Sequence, residues 1–294
     1  MTDAIPSLTL PIDSRDGLAL DPAAARALGE GVAPSYQSAA PFPHIVLDDF
    51  LPQSLAQMLV DQFPAESHDT DVVFDRGYLG HHKRAIHPEA CPAAPRELFL
   101  FLNSGPVLQF LEAMTGIDGL IADPYFNGGG FHEIGSGGKL GIHADFRINE
   151  KLHLNRRLNL LIYLNPGWDE AWGGRLELWD RPMKACARSV LPLFNRCVVF
   201  STDADSWHGH PDPLGTPPGV MRRSLALYYY TASQAVYRET PGNSTMYVAR
   251  PHDPAAIKAE ALRLRSDNYL RDWLPPAVYR GINRLGNALA KKKG

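Results

Sequence analysis

The hydrophobic pattern of the first 120 or so residues is helical. Apolar residues recur at helical spacing in DPAAARALGEG, in the segment after Ser54, and over about residues 96–115. We expect a glycine to end the first helix, Ser54 to cap the second, and Gly105-Pro106 to divide the third. The run His44 to Leu47, just before the second helix, is typical of a strand.

The pattern changes to short strands between about residues 120 and 232. The apolar runs LGIHADF, RLNLLIYLN, GRLELWD, RCVVFST and RSLALYYYT alternate with Gly, Pro, Asn and Asp. Strands of this length and spacing favour an all-β sandwich or jelly roll over βαβ units. Polar and helical patterns return after residue 233, most clearly in PAAIKAEALRLRS. We therefore expect a mainly β core with flanking helices.

Two His-x-Asp motifs are candidates for metal binding: His143 with Asp145, and His210 with Asp212. The motif alone is weak, because a chain with eleven histidines is expected to contain about one by chance. The first motif lies in GIHADF, where alternation places the imidazole and the carboxylate on one face of a strand. The second lies in HGHPDPLGTPPG, whose prolines and glycines disfavour a regular strand.

A third metal ligand is expected from a later strand. Two histidines and one carboxylate on one face of a metal leave the other positions open, as in non-haem Fe(II) oxygenases. His208 lies 63 residues after Asp145, just beyond the apolar run RCVVFST. We prefer it to the alternative, His210, because it is nearer the strand end and precedes the turn glycine.

A pair of arginines offers a binding site for a keto acid, which supplies electrons to iron that activates dioxygen. Arg222 and Arg223 begin the run RRSLALYYYT. A guanidinium group matches a carboxylate with two parallel hydrogen bonds. The two arginines fall on opposite faces of the predicted strand, so one of them points inward and the pattern leaves the choice open.

The order of these residues resembles the 2-oxoglutarate- and Fe(II)-dependent dioxygenases: a His-x-Asp motif, a distant histidine, and an arginine soon after. The segment RRLNLLIYLNPGWDEAWGGRLELW adds a strand ending in Tyr163-Leu164-Asn165, then Trp168 and Gly173-Gly174. This combination, with the earlier PFPHIVLDDFLP, is similar to the prolyl-4-hydroxylase-like branch. The resemblance covers roughly residues 41–232.

The resemblance implies a double-stranded β-helix with iron inside its mouth. It implies His143, Asp145 and His208 as the metal ligands, and Arg222 with Tyr163 as the residues that bind 2-oxoglutarate. The implied cofactors are Fe(II), 2-oxoglutarate as co-substrate, and ascorbate as a further reductant. The implied activity is hydroxylation of an unactivated C–H bond, on a prolyl or other peptidyl residue, with release of succinate and carbon dioxide.

Two other functions remain open: an oxygenase of a small molecule or biosynthetic intermediate, and a non-catalytic β-helix binding module. His132 falls near the position where relatives of this type have a tyrosine. His132 lies in the glycine-rich segment 126–140, so we expect it to be a histidine of a loop. The alternative is that its side chain lines the pocket. Long loops at 126–140 and 209–221 are candidate lids.

The domain boundaries expected from these patterns are an N-terminal arm at 1–40, the dioxygenase domain at 41–232 with its β core at about 120–232, and a C-terminal helical extension at 233–294.

The net charge of −3 argues against a nucleic-acid partner. No run of eighteen apolar residues and no secretory signal is seen, so we expect no membrane partner. Three widely spaced cysteines favour a reducing compartment, the cytoplasm. The expected partner is a peptide or small-molecule substrate.

Overall fold

The structure is a computed structural model that describes residues 5–75, 77–232, 245–274 and 278. The helices are α1 (Pro22–Gln37), α2 (Gln53–Asp61), α3 (Ala93–Phe101), α4 (Gly105–Thr115) and α5 (Ala255–Trp273). The strands are β1 (His44–Leu47), β2 (Val72–Phe74), β3 (His81–Ile86), β4 (Ile121–Ala122), β5 (Gly130–Ala144), β6 (Ile148–Asn149), β7 (Leu154–Tyr163), β8 (Leu176–Trp179), β9 (Cys186–Val190), β10 (Cys197–Ser201), β11 (His208–His210), β12 (Arg222–Ala232) and β13 (Met246–Tyr247). None of the described helices is long and apolar enough to cross a membrane.

The strands form a jelly roll in the order β1-β10-β7-β12-β5-β11-β8-β9. Strand β5 belongs to both layers, because its first half pairs with β12 and β3 whereas its second half pairs with β11 and β13. Tyr163 and Val198 of the first layer pack against Leu176 and Leu178 of the second. The predicted mainly β fold with flanking helices and a double-stranded β-helix core is confirmed.

Alternation from Leu158 to Tyr163 in β7 separates the two faces of the first layer. Leu158, Leu160 and Ile162 belong to the large apolar cluster that also contains Phe99 of α3 and Phe110 of α4. The residues between them, together with Tyr163, line the interior of the jelly roll. Burial of the outer face against the helices therefore fixes which side chains of β7 point inward.

The first helix is longer than expected. α1 continues through Gly29 and Gly31 to Gln37 instead of ending at a glycine. Gly29 lies against α4, where an added Cβ would be 2.3 Å from the carbonyl oxygen of Phe110. The glycine thus serves a close helix–helix approach, not a C-terminal cap.

Other local predictions have mixed outcomes. The strand His44–Leu47 and a break before Gly105 are confirmed. The Ser54 cap is wrong, since α2 begins at Gln53 with Pro52 at the capping position. The helix predicted in PAAIKAEALRLRS is α5, and the parts of the predicted C-terminal extension other than 245–274 and 278 lie outside the described residues.

The glycine-rich segment 126–140 is not a long loop, because most of it belongs to β5. Hydrogen bonding on both sides, to β3 and β12, holds this part of the chain in a strand despite its glycines. The expectation that His132 is a loop histidine is therefore wrong.

Candidate active site

The three residues predicted to bind a metal lie together at the interior of the jelly roll. His143 is near the end of β5, Asp145 follows that strand, and His208 begins β11 directly opposite His143. Nε2 of His143 is 3.7 Å from Oδ1 of Asp145, and Nε2 of His208 is 3.4 Å from Oδ2. One ligand atom from each residue lies within 4.8 Å of the others. His210, the alternative third ligand, is not part of this group.

The second ring nitrogen of each histidine is held by the main chain. Nδ1 of His143 donates to the carbonyl oxygen of Gly141 at 2.8 Å, and Nδ1 of His208 donates to that of Ser206 at 2.9 Å. Because a carbonyl oxygen only accepts, both protons are on Nδ1 and the Nε2 lone pairs are free beside Asp145. Metal-binding histidines are typically fixed in this way. Two neutral imidazoles and a carboxylate fit an Fe(II) site with open positions.

The protonation states of this group suit metal binding at neutral pH. Burial lowers the pKa of His143 to about 3, helped by the neighbouring His208, and burial also lowers the pKa of His208. Burial has the largest single effect on Asp145 and would raise its pKa, but Arg156, the two histidines and the hydrogen bond from Asn159 together outweigh burial, and the pKa falls below its ordinary value. The histidines are therefore neutral and the aspartate is ionised.

Arg156 and Asn159 hold the carboxylate of Asp145 and were missed by the sequence analysis as site residues. Asn159 donates to Oδ2 of Asp145 at 2.7 Å, and a terminal nitrogen of Arg156 is 3.0 Å from the same oxygen. Arg156 in turn donates to Oδ1 of Asn159, and its guanidinium carbon is 3.5 Å from the ring centroid of Tyr228. These contacts orient the carboxylate, whose Oδ1 remains on the side of His143.

Simple alternation along β7 places Arg156 on the outer face. The pairing of β7 with β12 is irregular here: Tyr229 lies opposite Leu158, but Tyr230 lies opposite Arg156. One extra residue in β7 reverses the side to which the preceding residues point, so Arg156 faces inward. Nothing in the hydrophobic pattern signals this bulge.

Arg222 and Tyr163 are brought together on the same interior surface. Arg222 is 5% exposed and donates from Nε to the carbonyl oxygen of Gly174 at 2.8 Å. A terminal nitrogen donates to the hydroxyl of Tyr163 at 3.3 Å. Arg223 points the other way, with Nε 3.3 Å from Glu133 and the guanidinium over the ring of Phe63. The structure thus places Arg222, and not Arg223, beside the three metal-ligand candidates.

A cavity of about 190 Å³ joins these residues. The cavity lining that the structure describes has one carboxylate, Asp145, and three cations, Lys83, Arg156 and Arg222. His132 lines it too, which bears out the alternative reading of this residue. An excess of positive charge in a buried cavity favours anionic ligands.

Comparisons with known proteins agree with this geometry. A model of the 2OG-Fe(II) oxygenase superfamily matches residues 129–230. Among curated proteins, prolyl 3-hydroxylase OGFOD1 of Mus musculus is 26% identical over 145 residues, which cover 42% of this chain and 26% of the relative. The chain thus spans 26% of the length of that curated relative.

A solved structure shows a shared fold. The prolyl-4-hydroxylase of Pseudomonas putida superposes with a TM-score of 0.50 at 18% identity, covering 69% of this chain and 99% of that one. A prolyl hydroxylase from Trichoplax adhaerens, in complex with a hypoxia inducible factor peptide, gives a TM-score of 0.47 at 18% identity, covering 70% and 90%. The family model spans the segment that carries His143, Asp145 and His208, and over that segment the chain is similar to the 2OG-Fe(II) oxygenase superfamily.

Proposed function

We propose that this protein is an Fe(II)- and 2-oxoglutarate-dependent hydroxylase. His143, Asp145 and His208 hold the metal, and Arg222 with Tyr163 binds the distal carboxylate of 2-oxoglutarate. One observation carries the proposal: two neutral histidines and an ionised carboxylate share a single cavity with a buried arginine that has no acidic partner among the described residues.

The residues of the chain position and shield the reaction. When bound, Fe(II) with 2-oxoglutarate would allow dioxygen to hydroxylate a C–H bond, with one oxygen atom going to the substrate and the other to the succinate that forms as 2-oxoglutarate loses carbon dioxide. Asn159 and Arg156 keep the carboxylate of Asp145 oriented and ionised. Phe146 and Tyr228 line the cavity. Ascorbate is proposed as a further reductant.

The proposed substrate is a prolyl or other peptidyl residue. The names of the curated relative and of the Pseudomonas putida structure support this class, since both are prolyl hydroxylases. The alternative is an oxygenase of a small molecule, which would use the same site. The third possibility, a non-catalytic binding module, is disfavoured by the complete set of ligand and anchor residues.

We also propose that the protein acts in the cytoplasm. All three cysteines are free, and Cys91 and Cys197 are buried without a partner sulfur. Free cysteines are compatible with a reducing compartment.

Succinate release from 2-oxoglutarate, with Fe(II) and ascorbate present, tests the proposed activity. We expect release by the wild type and none above background by Asp145→Ala, with Arg223→Met as a control that keeps the activity. Stimulation by proline-containing peptides but not by pooled metabolites supports the peptidyl substrate, and the reverse supports the small-molecule alternative. Equal release by Asp145→Ala and the wild type would contradict the proposal.

A further inference from the structure

His210 is a buried polar residue whose surroundings do not account for it. It ends β11, two residues after His208, and is 4% exposed. Neither of its ring nitrogens has a hydrogen-bond partner among the described residues. Buried polar groups without partners are rare in native proteins, and those that occur commonly bond to a water, an ion or a ligand.

The ring of His210 lies in the same cavity as the proposed metal ligands. Residues two apart in a strand point to the same side, and both His208 and His210 line the cavity. Arg222 lines the same cavity. An imidazole ring has at least one N–H donor whether it is neutral or protonated.

Arg222 and His210 both line the cavity. Arg222 donates to the carbonyl oxygen of Gly174, and Gly174 and His210 together line a small adjoining pocket. No hydrogen bond links His210 to Arg222. Neither residue has an anionic acceptor: Arg222 bonds only to neutral groups among the described residues, and His210 has no partner for its N–H. A carboxylate has two oxygens and can accept from both side chains.

We propose that His210 is a further co-substrate-binding residue, whose ring N–H donates to the distal carboxylate of 2-oxoglutarate beside Arg222. This inference rests on the proposed function and adds a residue to it. His210 consequently contributes to the selection of keto acids that carry a second carboxylate. A keto acid with one carboxylate, such as pyruvate, has nothing to offer His210 and leaves its ring unpaired.

Direct binding of 2-oxoglutarate to the zinc-loaded protein, followed by calorimetry, tests this inference without turnover. We compare the wild type with His210→Leu, which removes the donor, and His210→Gln, which keeps one. His44→Leu is the matched control, since His44 is also buried in a strand but lies outside the cavity lining.

We expect His210→Leu to raise the Kd for 2-oxoglutarate roughly 10- to 100-fold, as for the loss of a hydrogen bond to a charged group. His210→Gln should recover most of the affinity, and His44→Leu should bind as the wild type does. The Kd for pyruvate should be the same in the wild type and in His210→Leu. The apo form of His210→Leu should melt at a higher temperature than the wild type, because a buried group without a partner has been removed.

Three results overturn the inference. If the Kd of His210→Leu for 2-oxoglutarate lies within twofold of the wild-type value, the hydrogen bond is excluded. If His210→Leu raises the Kd for 2-oxoglutarate and for pyruvate equally, the substitution has distorted the site in general. A zinc-loaded wild type that binds no 2-oxoglutarate overturns the proposed function itself. If His210→Leu does not fold, the ring nitrogen resonances of His210 in the zinc-loaded wild type decide: they should shift with 2-oxoglutarate and not with pyruvate, and an absence of shift contradicts the inference.

Discussion

Replacing Arg222 by methionine tests the co-substrate anchor, with Arg223→Met as its sequence neighbour and control. Methionine keeps a flexible side chain of similar length but has neither charge nor donors. Arg222 is buried and bonds to two neutral groups, the carbonyl of Gly174 and the hydroxyl of Tyr163. Arg223 faces away from the cavity and pairs with Glu133.

The size of the effect follows from the burial of Arg222. Removing one partner of a buried, hydrogen-bonded charge pair costs about 2–5 kcal/mol, which raises the Kd for 2-oxoglutarate roughly 30- to 5,000-fold. At a 2-oxoglutarate concentration of about 100 times the wild-type Kd, binding stabilises the folded protein by about 2.7 kcal/mol. For a protein of this size that corresponds to a rise in Tm of roughly 5–10 °C, at about 2–4 °C per kcal/mol. Arg222→Met should show at most about a third of this rise, because even a 30-fold higher Kd leaves only about 0.9 kcal/mol of stabilisation.

Thermal melting of the zinc-loaded proteins, with and without 2-oxoglutarate, measures the effect. Arg223→Met should keep the full ligand-induced rise in Tm and lose at most about 1 kcal/mol of stability, since its ion pair is partly exposed. The reasoning is refuted if Arg222→Met keeps the rise, or if Arg223→Met loses it.

Three further variants probe the surroundings of the site. Burial lowers the pKa of Lys83 from 10.5 to about 8, so the charge of Lys83 destabilises the folded state below pH 8, and this cost fades as the pH rises from 8 towards 10.5. The free energy of unfolding of Lys83→Met, measured in urea at pH 7, should therefore be about 1–3 kcal/mol higher than that of the wild type. A difference in unfolding free energy that does not shrink by pH 10 would be inconsistent with this. Gly209→Ala would place a Cβ 2.6 Å from the carbonyl oxygen of Gly141 and would push β11 away from β5. Zinc affinity should therefore fall roughly 10- to 100-fold, and an unchanged affinity would show that the strands adjust to the Cβ. Asn159→Ala removes a hydrogen bond to Asp145 and should weaken zinc binding by a similar 10- to 100-fold or so, whereas wild-type affinity would mean that Arg156 alone orients the carboxylate.

The spacing of residues along strands, together with the family resemblance, predicted the metal-ligand candidates. His143 and Asp145 face the same way because they are two apart at the end of a strand, and His208 meets them because β11 pairs with β5. The sequence pattern left Arg222 and Arg223 as alternatives, because alternation separates two faces but does not say which is inside. Packing of the outer face of the first layer against the helices makes that choice.

Other features depend on contacts that no local pattern reveals. Arg156 points into the site because β7 has a bulge at this position, and the bulge is defined by the pairing of β7 with β12. The segment from Gly130 onwards is a strand because β3 and β12 flank it, although its glycines disfavour a strand locally. α1 continues beyond Gly29, and α4 packs closely against α1 at that glycine. In each case tertiary contacts outweigh the local preference of the residues.

We propose that His143, Asp145 and His208 bind Fe(II) in the same cavity in which Arg222 binds 2-oxoglutarate. Anaerobic titration of the protein with Fe(II) and 2-oxoglutarate tests this proposal most directly, because chelation of the metal by the keto acid gives a weak visible charge-transfer band. We expect this band for the wild type and for His44→Leu, and its loss in His143→Ala. A wild type without the band, or a band of equal strength in His143→Ala, would contradict the proposed site.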